Sequence, residues 1–575
     1  MRTIGVWLAI LAAGVGLLAL RYDWGPDGGR FAERGFLLST YLFLIFLPTC
    51  FYLSRWLLRS SRAAIVLTSI AFLVTTLPYK LLGLTDDYYY RVRPHVFGID
   101  RIRVPSLEFF PGGMLKAFPY DYLFWPLLAI GGLAAIWGVW KLRSRGGVAS
   151  RRLPVLLSVA FAVICLQGAV HTGMRGPYTY LAYFQRAEYK QHWYHVYNFA
   201  DGTGAVEADD YVYYPVEEYF QGAERDGQNE LIRRPFPFYV ASQFSFFVNT
   251  FYVWLVLNAF LWLVAVVATW RLVCRLANER AGLIAAALTV VGPGFVAFFA
   301  TPAMYMPYYT AVIVALCLFE ELVVENRGSD TAKVALFTGA LTLCAMTYDL
   351  GPFLVALLLY GIARSVRGWP LVLSLVLPYV LTLTFTTVVT RVLSITINPQ
   401  NSEQISDSIS GFKHEVLHPT LPHWYDHVVN IPPSYVHLLL QAFFVVPAIV
   451  ALFGIPKLRG KRPVAILVGA VLATNFATIA LFQIADARFL QTLPRLVYPV
   501  FPVVYLLAAL ALDPGENPGA PIGAGRRGEI LGRLRGAAPW IVIGLMFVLV
   551  NVDIFGYPTQ YVEFFVSDPP IFLPN

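Results

Sequence analysis

Charge is what this sequence has least of. Asp, Glu, Lys and Arg make up 14% of its 575 residues, while hydrophobic side chains make up 57%. A water-soluble domain carries about a quarter charged residues, so a soluble globular chain is excluded. The mean hydropathy of +0.60 agrees. Cysteine is scarce too. The five are Cys50, Cys165, Cys274, Cys317 and Cys344, in apolar runs or at their ends, with no CxxC pair among them. That leaves neither a disulfide framework nor a thiolate metal site. A Gly-rich phosphate loop and a Rossmann-type unit are missing as well, which argues against nucleotide chemistry.

What is present is a series of apolar runs. Each is long enough to cross a bilayer as a helix of roughly 20 residues, the element that satisfies its own backbone in lipid. They predict an all-α polytopic membrane protein of about 15 transmembrane helices. The centres fall near Leu11, Ile45, Thr68, Ile130, Ala162, Val256, Ala287, Val314, Leu341, Leu357, Val376, Val445, Gly469, Val504 and Leu545.

The basic residues orient this chain, because cytoplasmic loops collect Lys and Arg. "RWLLRSSR" (55–62), "KLRSRGGVASRR" (141–152), "RLVCRLANER" (271–280), "RSVRG" (364–368), "KLRGKR" (457–462) and "RRGEILGRLR" (526–535) fall on one side. The expectation is an N-terminus in the cytoplasm and a C-terminus outside it. The formal net charge of +8 then reflects topology and anionic headgroups, and no nucleic-acid partner is implied. The first apolar run follows Arg2, and no small-residue cleavage site follows "LLALRYDW", so it reads as a retained span. The Ala, Gly, Arg and Leu bias suits a bacterial inner membrane, with the outer loops in the periplasm.

The intervening loops hold most of the acids, histidines and tyrosines, and those at 83–120, 171–245 and 389–435 are long. Loop 171–245 opens with aromatics among Glu188, Lys190, His192 and His195, a pattern for an amphipathic helix in the headgroup layer. It continues with "EADDYVYYPVEEYF" (207–220). Pro215 suits the first turn of a short helix with Glu217 and Glu218 near its positive end, and Asp209 and Asp210 precede it. The loop closes on "RRPFPFYVASQF" (233–244), where Arg233 and Arg234 offer the paired donors that suit a phosphate.

Here the chain resembles the glycosyltransferase C superfamily, nearest the branch of protein O-mannosyltransferases and the lipid A aminoarabinose transferase. The likeness lies in the acidic pair of an outer loop, the basic-Pro-x-Pro-x-Tyr re-entry, and the step "ERAGLIAAAL" (279–288). It extends to "MTYDLGPFL" (346–354) and "TLPRLVYPVFPVVYLLAAL" (492–510). It covers residues 153–512. The pair is Asp-Asp where the family shows Asp-Glu, and "AMYMPYY" (303–309) stands where the family often has a second Asp.

The resemblance implies an inverting transferase. It would take sugar from a polyprenyl-phosphate-linked donor and pass it to an acceptor hydroxyl of lipid, glycan or protein on the periplasmic face. Asp210 is then the base, with Asp209 second; the alternative is that both cap a surface helix. Arg495, Arg234 and Arg233 would hold the departing phosphate, and a plain alternative for Arg495 is an interfacial anchor. Asp349, Glu218, Tyr239, Trp424, Tyr425 and His427 would position substrate; Asp349 could equally cap the helix after it. His414, His418, His423 and His427 are loosely spaced among prolines, so no metal site is assigned. No cofactor is implied, and a divalent cation stays open. Asp86 and Asp87 form a rival acidic pair without the re-entry pattern behind it.

The expected organisation is an N-terminal module of about four spans in 1–152, the catalytic core in 153–512, and a basic cytoplasmic loop, last span and outer tail in 513–575. The first module could dock a protein partner; membrane lipids surround the whole. The other readings are a lipid-linked sugar flippase and a non-catalytic scaffold. Transporters place ionisable groups near the midplane, whereas here the acids concentrate in outer loops.

Overall fold

Proline, glycine and buried amides decide where the helices stop. The computed structural model describes residues 2–20, 29–77, 109–144, 152–185, 236–237, 239–241, 250–299, 305–348, 350–366, 368–387, 429, 431–485, 494–513 and 526–552. Among these the structure is helical, without strands. The first part runs α1 (Arg2–Ala19), α2 (Gly29–Leu58), α3 (Ser61–Thr76), α4 (Phe109–Ser144), α5 (Arg152–Gln185) and α6 (Thr250–Leu276). Next come α7 (Glu279–Val291), α8 (Pro293–Phe298), α9 (Tyr305–Leu318), a π-helical stretch Phe319–Val324, α10 (Thr331–Ala345), α11 (Gly351–Ala363) and α12 (Trp369–Thr387). The remainder is α13 (Ile431–Ala442), α14 (Val446–Leu452), α15 (Arg462–Ala485), α16 (Pro494–Val497), α17 (Phe501–Leu512) and α18 (Arg526–Asn551).

All the predicted centres fall inside these helices except Val445, which sits at the break between α13 and α14. Among the described residues, eight helical segments are long and apolar enough to cross a membrane: Ser39–Leu58, Phe124–Lys141, Leu153–His171, Trp254–Leu276, Glu279–Phe298, Tyr305–Val324, Arg462–Ala480 and Pro494–Leu512. The α13–α14 pair, bent by 118°, raises the number to at most nine. The other centres belong to apolar helical stretches of 10–17 residues, shorter than the roughly 20 that a full crossing takes. Side chains such as Ile130, Leu383 and Phe453, each at least 66% exposed, suit a lipid surround. This is the pattern of a membrane protein.

Two of the segments expected to be outer loops differ from expectation at their edges. Helix α5 runs past His171 to Gln185, and α4 begins at Phe109, inside segment 83–120. A helix carries its hydrogen bonds within itself, so it need not end where the apolar run ends.

Glu279–Phe298, Tyr305–Val324 and Pro494–Leu512 are 89%, 94% and 83% buried, against 11% for Phe124–Lys141. The first three are therefore the centre, and α4 is peripheral. Local chemistry explains the tight packing of α7. Asn278 caps it by accepting from the Ala281 N–H, and Gly282 lies so close to α6 that a Cβ there would sit 2.3 Å from Cys274 Sγ. The small residues of "ERAGLIAAAL" thus allow the close α6–α7 turn. Helix α7 ends at Gly292 and Pro293, and helix ends leave carbonyls without intrahelical donors. Gln167 Nε2 donates to Val290 O at 2.7 Å, while Asn258 Nδ2 donates to Phe298 O and Phe299 O at 3.1 and 3.0 Å. Asn551 Nδ2 donates to Gln167 Oε1 at 3.1 Å, tying α18 to the same place.

Candidate functional site

The two ends of the bundle differ in chemistry. One is basic and carries paired acids; the other is aromatic and carries Arg495.

At the aromatic end, "LPRLVYPVFP" builds the turn that presents Arg495. Pro494 opens α16 at its first position, a place that suits proline. Pro499 has no N–H to give the carbonyl four residues back, which is that of Arg495. Tyr309 Oη donates to it instead, at 2.8 Å. The stretch Tyr498–Val500 is a 3₁₀ turn, and the Leu496 carbonyl accepts from Asn475 Nδ2 at 2.9 Å. Asn475 Oδ1 in turn accepts from Tyr435 Oη at 2.9 Å. The turn is therefore held by side chains of α9, α13 and α15. Arg495 is 7% exposed, and its guanidinium lies 5.0 Å above the Tyr305 ring, a cation–π placement.

The aromatic surroundings continue from there. Tyr305 packs on Phe298 at 4.8 Å, and Tyr308 stacks on Tyr348 at 3.9 Å and 25°. Behind Tyr348, the Met346 carbonyl accepts from the Phe236 N–H at 3.2 Å. So the re-entry segment predicted from "RRPFPFYV" meets the turn of "MTYDLGPFL". Tyr239 is fully buried there, with Leu42, Trp254, Met346 and Phe385, and edge-on to Phe46.

Of the residues singled out in the sequence, Arg495 and Tyr239 are thus placed at this end. Asp209, Asp210, Glu218, Arg233, Arg234, Asp349, Trp424, Tyr425 and His427 lie outside the described residues, as do Asp86, Asp87 and the other three loop histidines. Phe236 follows Arg234 by two positions and Tyr348 precedes Asp349, so described neighbours of both reach the aromatic end. The N-cap of α11 is Leu350, without a side-chain hydrogen bond. Among the described residues, no three His, Cys, Asp or Glu side chains are grouped to hold a metal ion.

The basic end holds what the sequence reading passed over. Glu320 and Glu321 are both 2% exposed inside the π-helical stretch. Its wider turn, seen in the Glu325 N–H donating to Glu320 O, sends the successive carboxylates to different helices. Glu321 accepts from Arg271 Nε and Nη2 at 2.7 and 2.6 Å and from Arg275 Nε at 2.9 Å. Arg275 also pairs with Glu325. Glu320 accepts from Tyr360 Oη at 2.7 Å and Arg364 Nη2 at 3.1 Å. Arg271 lies 4.9 Å above the Trp56 ring, which brings α2 in. Asp513 Oδ2 accepts from Asn278 Nδ2 at 2.7 Å, and the Asp513 carbonyl accepts from Lys457 Nζ at 2.8 Å. The signal was two adjacent acids in "CLFEELVV", inside an apolar run. Buried acids persist where they are paired, and these are.

No family model, characterised protein or solved structure matches the chain.

Proposed function

We propose that this chain is an integral-membrane inverting glycosyltransferase working at the aromatic end of the bundle. The sugar would come from a polyprenyl-phosphate donor and pass to an acceptor hydroxyl of a lipid, glycan or protein. In the reaction the acceptor oxygen bonds to C1 of the sugar as the C1–O bond to phosphate breaks. The acceptor proton goes to Asp210, with Asp209 beside it. The leaving group is the polyprenyl phosphate, whose growing charge Arg495 would meet, with Arg234 and Arg233.

The observation that carries this reading is the setting of Arg495. Its backbone is fixed on two carbonyls, its guanidinium lies against Tyr305, and apolar helices surround it. An anion on a prenyl tail needs that combination: a fixed cation with planar donors beside greasy surface for the chain.

The segregation of ends supports the finer topology, namely about 15 crossings with the basic end cytoplasmic and the aromatic end periplasmic in a bacterial inner membrane. Arg271, Arg275, Lys333, Arg364 and Lys457 cluster at one end, as the positive-inside rule requires.

Transport is the second reading, and one observation favours it. Three interrupted helices meet around Tyr498: a Cβ at Gly292 would stand 2.8 Å from its hydroxyl, Phe443 stacks on its ring at 5.2 Å, and it begins the turn after α16. Broken helices mark binding sites in transporters.

The full-length protein in detergent, given a radiolabelled polyprenyl-phosphate sugar and membrane-lipid acceptors, separates these readings. A transferase moves label to an acceptor and loses that activity in Asp210→Asn. A flippase leaves the donor intact but carries it across a vesicle, and a scaffold does neither.

A further inference from the structure

Helix α13 touches the Arg495 turn at both of its ends. Near its start, Tyr435 Oη bonds Asn475, whose amide holds the Leu496 carbonyl. Just past its end, Phe443 stacks on Tyr498 at 5.2 Å and 22°. The four residues Pro494–Val497 and the turn after them are thus gripped from one helix at two points. All the groups in this grip are inside the protein: Tyr435 is 7% exposed, Asn475 4%, and Phe443 and Tyr498 0%.

The far side of Phe443 is fixed as well. Pro447 has no N–H to give the Phe443 carbonyl four residues back, so α13 does not run on through it, and the chain turns through Phe444 and Val445 with φ of +50° and +65°. The Phe444 carbonyl accepts from the Val446 N–H, closing a γ-turn of the rare positive-φ kind. A β-branched residue there is strained, and such strain persists where the surroundings over-determine it. Phe443 is what the turn delivers, flat against Tyr498.

We infer that Tyr435 and Phe443 are positioning residues that set Arg495 for the phosphate of a polyprenyl-phosphate ligand. This rests on the transferase reading of Arg495. It adds that phosphate affinity is governed from α13, a helix whose own side chains need not meet the ligand. A hydrogen bond to a buried amide contributes about a factor of five in an equilibrium constant, and an aromatic stack about as much.

The test uses full-length protein in detergent, with a polyprenyl monophosphate as probe and the matching polyprenol, which lacks the phosphate, as control. Affinity is read from ligand-induced thermal stabilisation. Tyr435→Phe, which removes one oxygen, and Phe443→Leu are each expected to bind the monophosphate roughly fivefold more weakly. Neither is expected to change the response to polyprenol. In an Arg495→Ala background the same substitutions are expected to have no further effect on the monophosphate, because they act through that side chain. A structural role alone would weaken both ligands alike, or add to Arg495→Ala, and either result overturns the inference. Monophosphate binding in both variants as tight as in the unaltered protein overturns it too. If the unaltered protein answers monophosphate and polyprenol equally, the phosphate reading of Arg495 fails, and the inference falls with it. Should Phe443→Leu not fold, Tyr435→Phe and its double variant decide the matter.

Discussion

Arg271 grips Glu321 with two nitrogens, Nε on one carboxylate oxygen at 2.7 Å and Nη2 on the other at 2.6 Å. The pair joins α6 to the π-helical end of α9. The arginine side chain is 23% exposed, the glutamate side chain 0%. Removing one partner of a buried pair strands the other. Glu321→Gln is therefore expected to cost about 1–3 kcal/mol, measured as a clear fall in melting temperature in detergent. Glu325→Ala, whose carboxylate is 37% exposed, should cost less than about 1 kcal/mol. Equal losses would contradict the assignment of Glu321 as the buried anchor.

Three glycines separate three causes. A Cβ at Gly454 would stand 2.1 Å from the Leu507 carbonyl oxygen, a backbone atom that has little room to move. Gly454→Ala should destabilise by about 1–3 kcal/mol, as overpacking does. Gly460 has open space but φ of +84°, so Gly460→Ala should cost about 1 kcal/mol through backbone strain alone. Gly469 lies inside α15 with nothing within 4 Å, and Gly469→Ala should gain about 0.5–1 kcal/mol. Melting curves of the three variants check the order.

Val445 is 42% exposed and has φ of +65°. Glycine adopts that conformation without penalty. Val445→Gly should raise stability by about 1 kcal/mol, the strain relieved less the entropy of glycine. A clear loss would mean that the γ-turn is unstrained.

Sidedness is open to labelling. In right-side-out vesicles a cysteine at Val429 should react with a membrane-impermeant maleimide. One at Lys461, beside the basic end, should react after permeabilisation and not before. The reverse pattern would invert the topology.

How much of this was legible in the chain depends on the physics involved. Apolar runs are a bulk property, so the helix centres from Leu11 to Leu545 fell where composition placed them. Val445 fell at a break because Pro447 and a local turn interrupt an otherwise uniform run. Arg495 could be singled out because a cation among prolines and aromatics is conspicuous. Its supports could not be: Tyr309, Asn475 and Tyr435 lie 186, 20 and 60 positions away, and only folding brings Tyr309 to the Arg495 carbonyl, Asn475 to that of Leu496, and Tyr435 to Asn475. Glu320 and Glu321 were passed over for a related reason. Their partners Arg271, Arg275 and Arg364 read, in sequence, as loop charges serving topology alone.

The measurement that bears most directly on the account is donor consumption by the purified full-length protein in detergent or vesicles, supplied with a radiolabelled polyprenyl-phosphate sugar and an acceptor lipid extract. Label is expected to leave the donor, free polyprenyl phosphate to accumulate in step, and Asp210→Asn and Arg495→Ala each to abolish most of the turnover. Undiminished turnover in both variants, or a donor left chemically unchanged by the unaltered protein, would contradict the transferase reading.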